Sequence, residues 1–281
     1  MQVVHTAAAL RAALAGQPRT AFVPTMGNLH TGHVSLIELA KQHGAPVVAS
    51  IFVNPLQFGA GEDFERYPRT LAADCEKLEA AGCDLVFAPD VAEMYPVPQR
   101  FTVQPPEALA SDLCGAHRPG HFAGVATVVL KLFNLVQPHV AVFGRKDFQQ
   151  LHVIRGLVEQ FNLPIQIVAG DTLRETDGLA MSSRNAYLSA AERIQAPQLY
   201  RALAEVKTAI ASGERNFDML AANAARRLKM AGWRVDYVAV RDAPTLAAPT
   251  PDSHRLVVLG AAWLGATRLI DNLEIDAENP I

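Results

Sequence analysis

The strongest constraint on this chain is a rhythm. Short apolar runs, "TAFVPT", "APVVASIFV", "CDLVFAP", "HVAVFG" and "IQIVAG", recur through residues 20–170, and segments of helical length such as "HVSLIELAKQHG" and "LAADCEKLEAAG" lie between most of them. Runs apolar throughout suit strands buried on both faces, and strands alternating with helices suit a parallel sheet wrapped by helices. The prediction is an α/β fold with a Rossmann-like parallel sheet flanked by helices.

After "DTLRETDG" the rhythm changes. Ser189 with Glu192 three residues on forms a capping-box pattern that predicts a helix to about Ile210, and "FDMLAANAARRLKMAG" predicts a second. The runs "WRVDYVAVRD", "RLVVLGAAW" and "TRLIDNLEI" then read as strands. At 281 residues the chain exceeds the usual single domain, and half of it is hydrophobic, ample for two cores. The expected division is 1–173, a Rossmann-like domain, and 174–281, a smaller C-terminal α+β lid domain.

Charge and cysteine usage exclude several classes of function. A formal charge of -3 with no cluster of Lys and Arg gives no electrostatic footprint for nucleic acid. Cys75, Cys83 and Cys114 contain no Cys-x-x-Cys pair, which suits a reducing cytoplasm. No basic segment followed by a long apolar core opens the sequence, and the run near "LVVLGAAWLGA" falls short of the roughly 20 residues of a membrane span. The expectation is a soluble, unprocessed cytoplasmic protein with no membrane contact.

Three polar stretches border the expected cleft. In "PTMGNLHTGH", Pro24–His33, a strand hands over to a helix, whose free N–H groups and dipole favour an anion if it starts near Thr31. His30 and His33, one turn apart, offer two donors there, and Gly32 leaves room for a ring or ribose. The same pair could instead pack or ligate a metal, although no third ligand stands nearby. In "FGRKDFQQ", Phe143–Gln150, Lys146 can reach phosphate as a point charge, and in "AMSSRN", Ala180–Asn185, hydroxyls and a guanidinium can wrap a polyphosphate. Alone, each of these two suits an ordinary solvated segment; together with the first they make three anion-competent segments at one cleft.

These stretches, with "SIFVNPLQFG", "YPRT" and "HRPGHFAGVATVVLKLFNLV", resemble the pantothenate synthetase (pantoate–β-alanine ligase) family of the nucleotidylyltransferase superfamily. The resemblance runs from about Phe22 to Tyr187 and continues more weakly beyond. It implies condensation of (R)-pantoate with β-alanine, driven by cleavage of ATP to AMP and pyrophosphate through pantoyl adenylate, with Mg²⁺. On the matching positions, Met26, Gly27, Asn28, Leu29, His30, Thr31, Gly32 and His33 line the ATP site, with His30 and His33 on the phosphates and His33 as proton donor. Gly144, Arg145, Lys146, Asp147, Leu173, Met181, Ser182, Ser183 and Arg184 complete it, with Leu173 by the adenine; Lys146 and Arg184 join the histidines as the catalytic set. Gln57 holds pantoate and β-alanine, and Gln150 holds pantoate. The resemblance also implies a homodimer, with "KLFNLVQPHVAVF" a candidate interface.

Two places depart from or fall outside this pattern. After "YPRT" the chain reads Leu71, Ala72, Ala73, Asp74, where family members often carry adjacent acidic residues; Asp74 remains the candidate for Mg²⁺ through water. "CGAHRPGHF" resembles a flap over the site, with His117, Arg118 and His121 also compatible with a plain surface loop. Two rival functions stay open: a nucleotidylyltransferase acting on a phosphorylated acceptor, which leaves both glutamines without a role, and a catalytically silent nucleotide sensor, which explains no retained catalytic cation.

Overall fold

The computed structural model describes residues 1–250 and 253–276. The chain divides into two compact units, Met1–Asp171 and Thr172–Ile281. In chain order the first contains β1 (Gln2–Val4), α1 (Ala7–Leu14), β2 (Ala21–Thr25), α2 (Thr31–Lys41), β3 (Val47–Ile51), α3 (Leu71–Ala81), β4 (Leu85–Phe87), α4 (Val91–Met94), α5 (Glu107–Ala110), α6 (Cys114–His117), α7 (His121–Val136), β5 (Val140–Gly144), α8 (Phe148–Gln160) and β6 (Gln166–Gly170).

Its six strands form one parallel sheet in the order β1-β4-β3-β2-β5-β6. The strand residues alternate between two cores, as a sheet covered on both faces requires. Phe22, Val48, Ala141 and Phe143 pack with α1, α7 and α8, whereas Ala21, Val23, Val47, Ala49, Val140 and Val142 pack with α2 and α3. The apolar runs of the sequence are therefore strands, with bounds trimmed by a residue or two. The short edge strand β1 was not among them: three residues pairing with β4 carry too little pattern to be read.

The second unit contains α9 (Ala190–Gln195), α10 (Gln198–Ala211), α11 (Phe217–Met230), β7 (Arg234–Asp242), β8 (Arg255–Leu264) and β9 (Thr267–Asp276). The strands form an antiparallel sheet, β7-β8-β9, sharing a core with α10 and α11. The capping box is present, with Ser189 Oγ accepting from Glu192 N–H at 3.3 Å and Glu192 Oε2 accepting from Ser189 N–H at 2.8 Å. The single helix expected from there to Ile210 is instead two. Pro197 stands between α9 and α10, with no N–H to continue the ladder and a ring that crowds the carbonyl four residues back.

Candidate active site

Strand order in the parallel sheet reverses between β2 and β5, the position where open α/β sheets bind ligands beyond their carboxyl ends. The two strands pair only at Ala21–Val140 and Phe22–Ala141. Beyond these, β2 stays with β3 through Thr25–Ile51 and β5 with β6 through Gly144–Gly170, so the halves of the sheet part toward their carboxyl ends. "PTMGNLHTGH" leaves one side of this crevice and "GRKD" the other.

The first loop turns sharply through two left-handed residues, Gly27 at φ 83° and Asn28 at φ 49°. Glycine is required at the first: a Cβ there would stand 3.1 Å from both Asp74 Oδ2 and Ile51 Cγ2. α2 then starts at Thr31 with His30 as its cap. His30 Nδ1 accepts from Gly32 N–H at 3.1 Å, and His33 Nδ1 accepts from His30 N–H at 3.3 Å, an imidazole version of the capping box. Because a backbone N–H only donates, both Nδ1 atoms are unprotonated, and each neutral ring carries its hydrogen on Nε2. The rings lie 4.1 Å apart between centroids.

Electrostatics keep both rings neutral. Burial, then His33, Lys146 and Lys77, lower the His30 pKa from 6.5 to about 3, with Asp147 opposing. Burial, Lys146 and Lys77 lower that of His33 to about 4. The 3₁₀ turn Arg145–Asp147 after β5 thus brings the Lys146 charge to bear on the histidines, uniting the first two sequence stretches at one site. The result is a pair of uncharged N–H donors in a positive field, suited to hydrogen bonding an anion without titrating near neutral pH.

Asp74 does not stand where a water-bridged metal ligand would. Its side chain is fully buried on α3. Oδ2 accepts from Asn28 N–H at 2.9 Å and from Thr70 Oγ1 at 3.0 Å, and Oδ1 accepts from Leu29 N–H at 2.7 Å. Its carboxylate fills the concavity formed by successive loop N–H groups, a place an external anion could otherwise take. These contacts make Asp74 a brace of the loop. Lys77, one turn on, completes the clamp by donating to Leu29 O at 2.7 Å. The sequence reading missed Lys77; its only signal was the spacing of three residues from Asp74 on a predicted helix.

Gln57 closes the 3₁₀ turn Pro55–Gln57 after β3 and is buried. Its Nε2 lies 3.0 Å from Met26 Sδ, so it borders the same loop. Its backbone carbonyl accepts from Arg118 Nη2 at 3.2 Å and from His121 Nδ1 at 2.9 Å. Arg118 in turn grips Glu62, Nε to Oε1 at 2.8 Å and Nη2 to Oε2 at 2.6 Å. Burial alone would raise the Glu62 carboxyl, but the bonds and charge of Arg118 bring it below its ordinary value. Burial, with the Arg118 charge, lowers His121 to about 4. Arg118 and His121 are thus tied into a network behind Gln57, whereas His117 is exposed. Gln150 lies partly buried in the first turn of α8; its neighbour Gln149 is buried and braces Leu109 O, Asp112 O and Cys114 N–H.

The third stretch belongs to the second unit. Leu173 and Met181 face each other across a hairpin, Met181 N–H donating to Leu173 O at 3.0 Å. Arg174 anchors this hairpin through paired bonds to Asp271 of β9 at 2.7 and 2.9 Å. Ser182 caps a short turn over Ser183–Tyr187, its hydroxyl accepting from Arg184 N–H at 3.3 Å. Leu173 is exposed, and Met181, Ser182, Ser183 and Arg184 are partly so.

The sequence profile of the Pantoate-beta-alanine ligase family matches residues 2–274. A pantothenate synthetase of Thiobacillus denitrificans is 74% identical over 98% of this chain and 97% of its own length. One from Methylobacillus flagellatus is 57% identical over 98% of each chain. Among solved structures, pantothenate synthetase from Thermus thermophilus superposes with a TM-score of 0.93 at 47% identity, covering 97% of this chain and 99% of that one. Pantoate-beta-alanine ligase from Francisella tularensis, solved with beta-gamma ATP and beta-alanine, gives 0.84 at 30% identity over the full length of both. Matched by this family's profile over nearly its whole length, and 74% identical to one of these enzymes, the chain belongs to the pantoate–β-alanine ligase family.

Proposed function

We propose that this protein condenses (R)-pantoate with β-alanine, cleaving ATP to AMP and pyrophosphate through a pantoyl-adenylate intermediate. The observation that carries the reading is the pair of neutral histidine donors in the field of Lys146 at the switch point of the sheet. As the pantoate carboxylate attacks the α-phosphorus, negative charge grows on the phosphoryl oxygens and on departing pyrophosphate. Fixed donors and a cation aimed there stabilise that charge without reorganising. The Nε2–H groups of His30 and His33 donate to phosphate oxygens, Lys146 supplies the charge, and the N-terminus of α2 adds the helix dipole. A neutral His33 acts as a hydrogen-bond donor; proton transfer requires that bound nucleotide raise its pKa.

The remaining assignments rest on the matching motifs. Met26, Gly27, Asn28, Leu29, Thr31 and Gly32 shape the ATP loop, and Gly144, Arg145 and Asp147 flank Lys146. Leu173, Met181, Ser182, Ser183 and Arg184 are assigned to ATP on their motif and family membership. Gln57 and Gln150 are assigned to pantoate, their uncharged amides suiting hydroxyl and carboxylate oxygens, with Gln57 also serving β-alanine. Among the described residues no group of three or more His, Cys, Asp or Glu is arranged to hold a metal ion, and the Asp74 oxygens are occupied. Mg²⁺ enters the proposal as part of the Mg·ATP substrate, held by phosphate and water oxygens.

We further infer a cytoplasmic homodimer that engages neither nucleic acid nor membrane. The near-balanced charge argues against nucleic acid, no helix among the described residues is long and apolar enough to cross a membrane, and the dimer and the cytoplasm rest on family membership and cysteine usage. Sedimentation at several concentrations tests the assembly. The reaction is tested by incubating the protein with Mg·ATP, pantoate and β-alanine. AMP, pyrophosphate and pantothenate should appear in equal amounts; ADP as the nucleotide product, or a need for a phosphorylated acceptor, would contradict the proposal.

A further inference from the structure

Between β3 and Gln57 the chain passes over Asn54, which is 1% exposed. Its amide makes contacts of two kinds. Two are to backbone groups of fixed polarity: Leu56 N–H, which only donates, faces Oδ1 at 3.3 Å, and Gly124 C=O, which only accepts, faces Nδ2 at 3.2 Å. Together they determine which way the amide is turned. The other two contacts then have no freedom. The Tyr95 hydroxyl, 2.7 Å from Oδ1, must donate. The Gln57 atom facing Nδ2 at 3.2 Å must be the acceptor, Oε1. Gln57 Nε2 is left pointing toward Met26 Sδ, a weak acceptor that a substrate oxygen can replace at little cost.

Tyr95 is well fixed for this task. It follows α4, its ring lies 6.0 Å from that of Phe52, and the Lys131 ammonium stands 5.0 Å from its ring centroid. Burial pushes its hydroxyl above the ordinary phenol range, so it remains a donor at every working pH.

We propose that Tyr95 is a positioning residue for the acid substrate: with the polarity of the Asn54 amide set by Leu56 N–H and Gly124 C=O, the Tyr95 hydroxyl, donating to Oδ1, fixes where that amide stands, so that Nδ2 holds Gln57 Oε1 and leaves the Gln57 N–H donors to the substrate. Such a relay selects a carboxylate or hydroxyl oxygen at that point of the pocket. It rests on the assignment of Gln57 to pantoate and extends it to a residue outside the pocket.

The test is a double-mutant cycle read by ATP–pyrophosphate exchange, with half-saturating concentrations measured for pantoate and for ATP. Tyr95→Phe should raise the pantoate value about three- to tenfold, the loss of one buried hydrogen bond, and leave the ATP value within twofold. On a Gln57→Ala background Tyr95→Phe should have no further effect on pantoate, because the relay then has nothing to orient. A thermal midpoint recorded for each variant confirms that it is folded; a general structural role would raise both half-saturating concentrations and would act additively with Gln57→Ala. Additive effects, or an unchanged pantoate value in Tyr95→Phe, overturn the relay while pantoate-dependent exchange by the unmodified protein stands. Absence of that exchange in the unmodified protein overturns the functional reading and the relay with it.

Discussion

Replacing Asp74 by Asn separates a loop brace from a metal ligand. The carboxylate receives the N–H of Asn28 on Oδ2 and that of Leu29 on Oδ1. Asparagine offers one oxygen and one NH₂, so whichever way it turns, one of these buried N–H groups faces another donor. The change therefore removes one charge-assisted hydrogen bond, about 1.5–3 kcal/mol, and part of this loss appears in the loop's ability to hold ATP. Because about 1.4 kcal/mol is a tenfold change, kcat/KM for ATP in pyrophosphate exchange should fall about ten- to a hundredfold. The dependence of exchange on free Mg²⁺ at saturating ATP should keep its midpoint, since both carboxylate oxygens are engaged by loop N–H groups. A defect erased by excess Mg²⁺, or an unchanged kcat/KM for ATP, would refute the brace.

Other perturbations probe the same site. Lys146→Ala should slow single-turnover adenylate formation by roughly a hundredfold or more, the scale for losing one group that stabilises transition-state charge; an unchanged rate would remove Lys146 from the chemistry. His30 and His33, held near 3 and 4, should give the exchange rate of the free enzyme no histidine inflection between about pH 5.5 and 8. Both folded values lie below the unfolded 6.5, so the unfolded chain binds more protons as pH drops through that window, and stability should fall from about pH 6.5 toward pH 4. Denaturant titrations should show a shallower loss in His33→Asn, and an identical slope would count against the burial argument. Gly124→Ala would drive a Cβ into the backbone oxygen of Leu56. Pushing α7 off the turn that carries Gln57 should cost about 1–3 kcal/mol of stability and raise KM for pantoate, and an unperturbed thermal midpoint would show that the contact relaxes freely.

The strands of the parallel sheet were legible because each is apolar throughout and long enough to show it; β1, with three residues, was not. Pro197 stood in plain view, yet the good capping box at Ser189 and the apolar spacing beyond it masked the break. The loops at the switch point could be found from residue type, since glycines, histidines and a lysine after apolar runs carry chemistry locally. What local pattern could not supply was the use of each group. Asp74 reads as a free carboxylate in a helix, and only its approach to Asn28 and Leu29, distant in sequence, shows that its oxygens are occupied. Nothing in the sequence joined Tyr95 to Asn54, or Arg118 and His121 to the carbonyl of Gln57, because those links depend on where β3, α4 and α7 meet.

The central claim is that a pantoate carboxylate attacks the α-phosphorus of ATP held at His30, His33 and Lys146. Pantoate labelled with ¹⁸O in both carboxyl oxygens, turned over with unlabelled ATP and β-alanine, tests it most directly. One labelled oxygen per turnover should appear in AMP, because the carboxyl C–O bond breaks when the amine displaces the nucleotide, and pyrophosphate should carry none. AMP free of label, or label in inorganic phosphate or pyrophosphate, would contradict the account.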